Sequence, residues 1–306
     1  MNKILITGGA GFIGSALANK LAEDKQNYIV VVDNLLTGNT ERLHHLENVK
    51  FIKVDVNDFI DISSVFYSYS FDYVFHYAAV VGVKRTLNNP ILVLDDLKGM
   101  RNVLDLCKNT GVKRIYFSSS SEVYGEPVEL PQNEHTTPLN SRLPYAIVKN
   151  AGEAFLKSYH QEYGLEHTVF RFFNTYGPYQ SKDFVISKFV AAALKNKDIT
   201  IYGDGSQTRT FCYVDDNIQA CVNALINNEC INDVVNIGSD REYTILELAE
   251  LIIKISNSSS KIIHLPPLEE GDMSRRQPDT SKMRTLLGKE AISLEDGLKE
   301  VISNPN

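Results

Sequence analysis

A doubly wound parallel α/β sheet with a smaller C-terminal α/β domain is the fold class this sequence predicts. Three observations carry it. Short β-branched runs alternate with helical segments through the first half of the 306 residues. A glycine-rich turn stands directly between the first such run and the first helix. After about residue 175 the alternation becomes irregular, as it does where a second substructure begins.

In chain order, "KILIT" (3–7) is a short apolar strand, and "FIGSALANKLAED" (12–24) has apolar residues at helical spacing. "YIVVVD" (28–33), "VKFIKVD" (49–55), "YVFHYAA" (73–79) and "KRIYFSSS" (113–120) read as further buried strands. Segments near 58–69, 90–109 and 145–163 fit helices, and "EHTVFRFFN" (166–174) fits one more strand. Beyond it, "TYGPYQSKD" reads as a loop, 184–195 as a helix, and "ITIYGDGSQTRTF" as strand, turn and strand. A helix at 214–227, the strand "VVNIG" (234–238) and the helix "TILELAELIIKI" (244–255) follow. The expected division is 1–175 for the first domain, with 211–238 returning to it, and 176–306 mainly for the second.

Composition narrows the function. Hydrophobic residues at 43% and charged residues at 23% suit a globular enzyme. A net charge of −7 without a basic block argues against nucleic acid as a partner. Cys107, Cys212, Cys221 and Cys230 lack metal-ligand spacing, so no metal is expected, and a reducing compartment is. No apolar run approaches the ~18 residues of a membrane span. "MNKILITGG" enters a strand at once, which makes a cytoplasmic location the expectation.

The glycine turn is Gly9-x-Gly11-x-x-Gly14, preceded by Gly8. Glycines there permit a tight turn and close approach of backbone to a pyrophosphate, which rests on the helix N-terminus. Asp33 ends the second strand, 19 residues beyond Gly14. A carboxylate in that place binds the adenosine ribose hydroxyls and repels a 2′-phosphate, so the cofactor expected is NAD. The first domain is thus predicted to be Rossmann-type. The plainer alternative is a turn that binds nothing, with Asp33 as a helix cap.

"LPYAIVKNAGEAF" puts Tyr145 and Lys149 four residues apart, on one face of a predicted helix. An ammonium near a phenol is expected to lower its pKa and make tyrosinate a usable base. Alone, such a pair is often a solvated helix face. Its weight comes from following a dinucleotide fingerprint and the hydroxyl-rich strand end "FSSSSEVYG".

Taken in order, "TGGAGFIGS", "VVDN", "VDVND", "HYAA", "FSSSSEVYGE", "PYAIVK", "YGLEHTVFRFFNTYGP", "ITIYGDGSQTRTFCYVDD" and "RRQPDTSK" cover nearly the whole chain. In these blocks the chain resembles the extended short-chain dehydrogenases/reductases that act on nucleotide sugars as epimerases, dehydratases and decarboxylases. The resemblance implies that Tyr145 takes the proton from the sugar 4-hydroxyl while hydride passes from C4 to NAD. Lys149 would hold the nicotinamide ribose, and Ser120 would hydrogen-bond the reacting oxygen. Gly8, Gly11, Phe12, Ile13, Gly14, Asp33 and Asn34 would line the cofactor, Asp55 and Val56 its adenine, Ala78 and Ala79 its nicotinamide. Ser121, Asn174, Arg209 and Arg276 would bind the nucleotide sugar, with UDP the expected nucleotide. For the arginines, a diphosphate gives the physical reason. The resemblance also implies a homodimer through helices 90–109 and 145–163. One departure is Asp96, in "DDLKGMRN", where the family usually has Asn.

Glu122 divides the possible reactions. In this family, epimerases need little beyond Tyr and Ser, dehydratases usually show Asp-Glu at the positions of Ser121 and Glu122, and decarboxylases resemble "TSE" there. "SSE" at 120–122 therefore favours decarboxylation or dehydration, whereas "HYAAVVGVKRTLNNP" and "LPYAIVKNAGEAF" resemble epimerase blocks. The longer blocks put 4-epimerisation of a UDP-sugar first, with UDP-glucuronate decarboxylation next and 4,6-dehydration after it. An NAD-binding sensor is the non-enzyme alternative, against which Tyr145, Lys149 and Ser120 stand intact.

Overall fold

The structure, a computed structural model, describes residues 1–266 and 275–304. Two compact units make it up. The first holds residues 1–123, 141–171 and 218–235; the second holds 124–140, 172–217 and the described residues from 236 onward.

The elements run β1 (Asn2–Thr7), α1 (Phe12–Ala22), β2 (Asn27–Asp33), β3 (Val49–Lys53), α2 (Phe59–Tyr69), β4 (Tyr73–His76), α3 (Val83–Asn88), α4 (Pro90–Thr110), β5 (Arg114–Ser120), α5 (Pro144–Tyr163) and β6 (Glu166–Phe172). They continue as β7 (Thr175–Tyr176), α6 (Val185–Ala193), β8 (Ile199–Tyr202), β9 (Thr208–Thr210), β10 (Cys212–Tyr213), α7 (Val214–Ile226) and β11 (Asp233–Ile237). Last come β12 (Glu242–Thr244), α8 (Ile245–Ser256), β13 (Ile262–Leu265), α9 (Ser281–Leu287) and α10 (Leu294–Ser303).

A seven-stranded sheet in the order β11-β6-β5-β4-β1-β2-β3 forms the frame. β1 pairs in parallel with both β2 and β4, with Leu5 opposite Val30 on one side and Val74 on the other. Parallel neighbours require crossover connections, which the intervening helices supply. Ile4, Leu5 and Ile6 are all fully buried, as a strand covered on both faces demands. Leu5, Val30, Val32, Val74 and Ile115 pack with Phe66 of α2, Leu104 of α4 and Leu156 of α5. The strand order reverses between β1 and β4, and ligands of open α/β sheets bind beyond the carboxyl ends at such a switch point.

Local chemistry sets the helix ends. α4 and α5 each begin with proline and stop at a left-handed glycine, Gly111 and Gly164. Two strands are shorter than their apolar runs: β3 ends at Lys53 and β4 at His76. At β4 the reason is visible: Tyr77 N–H still reaches the Thr7 carbonyl at 3.1 Å, but Ala78 N–H turns to the Thr7 hydroxyl at 3.2 Å.

In the second unit, the segment expected as a loop contains β7, which pairs in parallel with β10. β8 and β9, expected as strand, turn and strand, take different partners: β8 pairs with β13 and β9 with β12. α8 opens with a capping box in which the Thr244 hydroxyl accepts from Glu247 N–H and the Glu247 carboxylate accepts from Thr244 N–H.

Candidate active site

The cradle forms where β1 runs into α1. Gly8 is left-handed at φ +65°, and a Cβ there would stand 2.6 Å from the backbone nitrogen of Ala78. Gly14 packs as tightly on the Gly8 carbonyl. Phe12, Ile13 and Gly14 form the first turn of α1, whose cap, Gly11, offers no side-chain bond, so its amides stay available to an anion.

Asp33 does not cap a helix. One carboxylate oxygen accepts from Ala10 N–H at 3.1 Å within the glycine turn, and the other from Leu35 N–H at 2.8 Å. Beside it Asn34 donates to Asp55 at 3.1 Å, and Asp55 accepts from Asn57 N–H at 2.9 Å. α4 holds this corner from below, since Asn102 donates to the Val56 carbonyl at 3.0 Å. An uncapped helix N-terminus, a cradle that a Cβ would fill and a carboxylate seated on it fit a dinucleotide with free ribose hydroxyls.

The reacting end lies where β5 stops. Ser120 ends the strand, and its hydroxyl lies near enough to the phenol of Tyr145, the second residue of α5, to draw that phenol down. Buried Ser121 and partly buried Glu122 follow in a 3-10 turn, with Glu122 N–H donating to the Ser120 hydroxyl at 3.2 Å. Lys149, one turn beyond Tyr145, is only 3% exposed. Its ammonium lies 3.4 Å from the Ser118 hydroxyl, 4.9 Å from the Phe117 ring centre and 5.7 Å from that of Tyr145. An ammonium with three donors and one long hydrogen bond, to Ser118, among the described residues is suited to a ligand's ribose hydroxyls.

Burial lowers Lys149 to about 8, against the pull of the Asp96 and Glu153 carboxylates. Tyr145 moves the other way. Burial first and the Glu122 charge next push its phenol well up, and the Ser120 hydroxyl offsets only part of this. The expectation of a phenol lowered by Lys149 is therefore corrected: burial and the neighbouring Glu122 carboxylate hold the phenol up, and Tyr145 rests protonated.

Two supporting groups escape the sequence reading, and a third, Asp96, stands in it only as a departure from the family. Thr7, having accepted two N–H groups, stands 2.8 Å from His76 Nδ1. Burial and then the Lys149 charge hold His76 near 3, so its ring is neutral. Glu153 joins Ser119 to Arg171, whose Nε donates at 3.0 Å and whose terminal nitrogen donates at 2.6 Å. Breaking such a buried pair costs about 3–5 kcal/mol, which makes it a brace between α5 and β6 that also holds the end of β5 through Ser119. Its signal was the four-residue step from Lys149. The third group is Asp96, whose carboxylate accepts from Val80 N–H at 2.8 Å.

Asn174, Arg209 and Arg276 all lie in the second unit. Asn174 donates to the Thr210 carbonyl at 3.0 Å, which brings it beside Arg209 in the chain. Arg275 is taken up by Glu242 at 2.7 Å, whereas Arg276 is buried. Among the described residues no His, Cys, Asp or Glu cluster is arranged to hold a metal. Among them, too, no helix is long and apolar enough to cross a membrane.

A doubly wound sheet with a dinucleotide cradle at its switch point and a Ser-Tyr-Lys group at the next strand end defines a nucleotide-cofactor enzyme class. A family model described as NAD dependent epimerase/dehydratase family matches residues 4–238, and the chain belongs to that family. Its cofactor is accordingly NAD. The chain is 38% identical to UDP-glucuronic acid decarboxylase 1 of Danio rerio, over 98% of itself and 72% of that protein. To a putative UDP-glucose 4-epimerase of Methanocaldococcus jannaschii it is 35% identical, over 98% and 97% respectively. Its structure matches that of the UDP-glucose 4-epimerase of Thermotoga maritima, with UDP-glucose, at a TM-score of 0.92 and 34% identity, covering 99% of this chain and 98% of that one.

Proposed function

We propose that this protein oxidises the sugar of a UDP-sugar at C4 and returns the hydride to the opposite face, as a UDP-sugar 4-epimerase. The observation that carries this reading is Tyr145 beside Ser120, with the ammonium of buried Lys149, one turn along, 5.7 Å from its ring centre. Gly8, Gly11, Phe12, Ile13 and Gly14 would hold the pyrophosphate of NAD, Asp33 and Asn34 the adenosine ribose, Asp55 and Val56 the adenine. Ala78, Ala79 and Lys149 would hold the nicotinamide end. Once bound, NAD supplies the hydride acceptor and, in its oxidised ring, the positive charge that favours tyrosinate. Tyr145 takes the 4-hydroxyl proton and later returns it, and Ser120 donates to the same oxygen. Asn174, Arg209 and Arg276 would grip the nucleotide diphosphate. Likeness along the full chain to 4-epimerases supports this choice.

One observation favours a second reading, UDP-glucuronate decarboxylation. Glu122 is partly buried and its charge is felt by Tyr145, so it faces the site. There it would supply the proton to the enolate left once a 4-keto uronate, a β-keto acid, loses carbon dioxide. The mass of the product from UDP-glucuronate with NAD separates the two. Loss of one carbon dioxide establishes the decarboxylase, and an unchanged mass with inverted C4 establishes the epimerase. Under the lead reading, Glu122→Gln should keep turnover within about tenfold; a drop of about 10²–10⁴-fold would give Glu122 the role of proton carrier.

The chain is also proposed to pair with a second copy through α4 and α5. These helices pack side by side and leave Ile91 (71% exposed), Leu94 and Ile147 open on their outer faces. Ile147→Asp should shift the sedimentation mass from dimer to monomer while NAD still binds. An unchanged dimer would place the contact elsewhere.

A further inference from the structure

The strand that follows Asn174 is only two residues long. It lies in a two-stranded sheet with β10, Thr175 opposite Cys212 and Tyr176 opposite Tyr213. A ladder that short does not hold itself in water, so its place is set by what it packs on. Asn174 is left-handed at φ +34°, donates to the Thr210 carbonyl and accepts from Cys212 N–H at 3.3 Å. Its position is therefore that of β7.

The backing of β7 is α10. Tyr176 and Tyr213 are both buried, and their rings meet edge to face with centres 5.5 Å apart. They lie on Gly297, where a Cβ would overlap the Tyr176 hydroxyl and stand 2.8 Å from its Cζ and 2.9 Å from Cδ2 of Tyr213. The Tyr176 hydroxyl also donates to the Leu294 carbonyl at 3.4 Å. A glycine inside a helix weakens it relative to alanine, so what Gly297 contributes is this close approach.

α10 is itself tied down. Buried Asp216, in the first turn of α7, accepts from Ile292 N–H at 2.6 Å and pairs with Lys289 at 3.1 Å. Ser293 caps the helix on Asp296 N–H at 3.1 Å, and buried Leu294, Leu298 and Val301 seat it. Asn217, next to Asp216, donates to the Thr175 hydroxyl. One turn of α7 thus reaches both α10 and β7.

We propose that α10 is a strap that sets the seat of the nucleotide grip, with Gly297 and Tyr176 as positioning residues for Asn174. This rests on reading Asn174 as a ligand of the nucleotide diphosphate, and not on which reaction follows at the sugar. Tyr176 is only 1% exposed, so its effect passes through the strand.

The test is calorimetric titration of UDP into the holoenzyme, as wild type, Gly297→Ala, Tyr176→Phe and the double variant. The methyl of Gly297→Ala should displace Tyr176 with β7 and weaken UDP binding about tenfold or more, because small misplacements of binding groups are amplified. KM for the nucleotide sugar should rise in step while kcat holds within about threefold, the mark of lost uniform binding. NAD content should not change, since the cradle belongs to the first unit. Tyr176→Phe removes the atom that the methyl meets first, so the same methyl should weaken UDP less in that background. If Gly297→Ala alone does not fold, Tyr176→Phe with and without the methyl reads the effect. UDP bound equally well with and without the methyl, or an equal loss in both backgrounds, overturns the proposal. A wild type that does not bind UDP overturns the nucleotide reading beneath it, an outcome distinct from failure of the strap alone.

Discussion

Tyr145→Phe is expected to lower turnover of the nucleotide sugar by about 10²–10⁴-fold, the contribution of a positioned general base. NAD should remain bound, because the cradle residues from Gly8 to Gly14 and Asp33 are untouched by the change. The fold should hold as well, because the ring stays against Val80 and Val148 and only the phenol hydroxyl is removed. Two assays read this, product formation and NAD content of the purified protein. Turnover within tenfold of wild type would remove Tyr145 as the base and with it the C4 mechanism. Loss of NAD together with turnover would point to a structural role instead.

Gly8→Ala should be the most damaging small substitution in the cradle. The left-handed backbone costs a Cβ about 1–2 kcal/mol, and the added methyl would also stand 2.6 Å from the Ala78 nitrogen and 2.8 Å from the Tyr77 carbonyl carbon. Those atoms are backbone at the end of β4, so the relief must come from moving the loop that follows β4. Gly111→Ala is the control. Gly111 is also left-handed, at φ +75°, but nothing lies within 4 Å of its Cβ position. A calorimetric scan should show Gly8→Ala costing about 2–4 kcal/mol, against about 1–2 for Gly111→Ala, with weaker NAD binding in the former alone. Equal effects would mean that the close approach of β1 and β4 does not govern the cradle.

What the sequence shows plainly is what is local. The Gly9-x-Gly11-x-x-Gly14 turn, the Tyr145–Lys149 step and the alternating strands of the first half each fit inside one element or one turn. α10 was also within reach: Ser293 stands three residues before Asp296, whose amide it caps. The strand order, by contrast, depends on which distant segments meet. Asp33 is informative by position, yet its seat on Ala10 N–H appears only once β1 and β2 lie side by side. The Asp96–Val80 bond and the Glu153–Arg171 brace join residues 16 and 18 positions apart across different elements. The resting state of Tyr145 was misjudged for a related reason. Spacing reveals the nearby ammonium, but neither the burial nor the approach of Glu122.

The way the chain alternates between its two units bears on how it is made. It passes from one to the other after residues 123, 140, 171, 217 and 235. β6 ends at Phe172, but its outer neighbour β11 begins only at Asp233, after sixty intervening residues. At a synthesis rate of about 5–20 residues per second, the nascent sheet keeps an open strand edge for roughly 3–12 s on the ribosome. Such an edge is a template for pairing with other chains. A stop codon shortly after β6 would make that vulnerability permanent, yielding an aggregating fragment in place of an isolated NAD-binding domain.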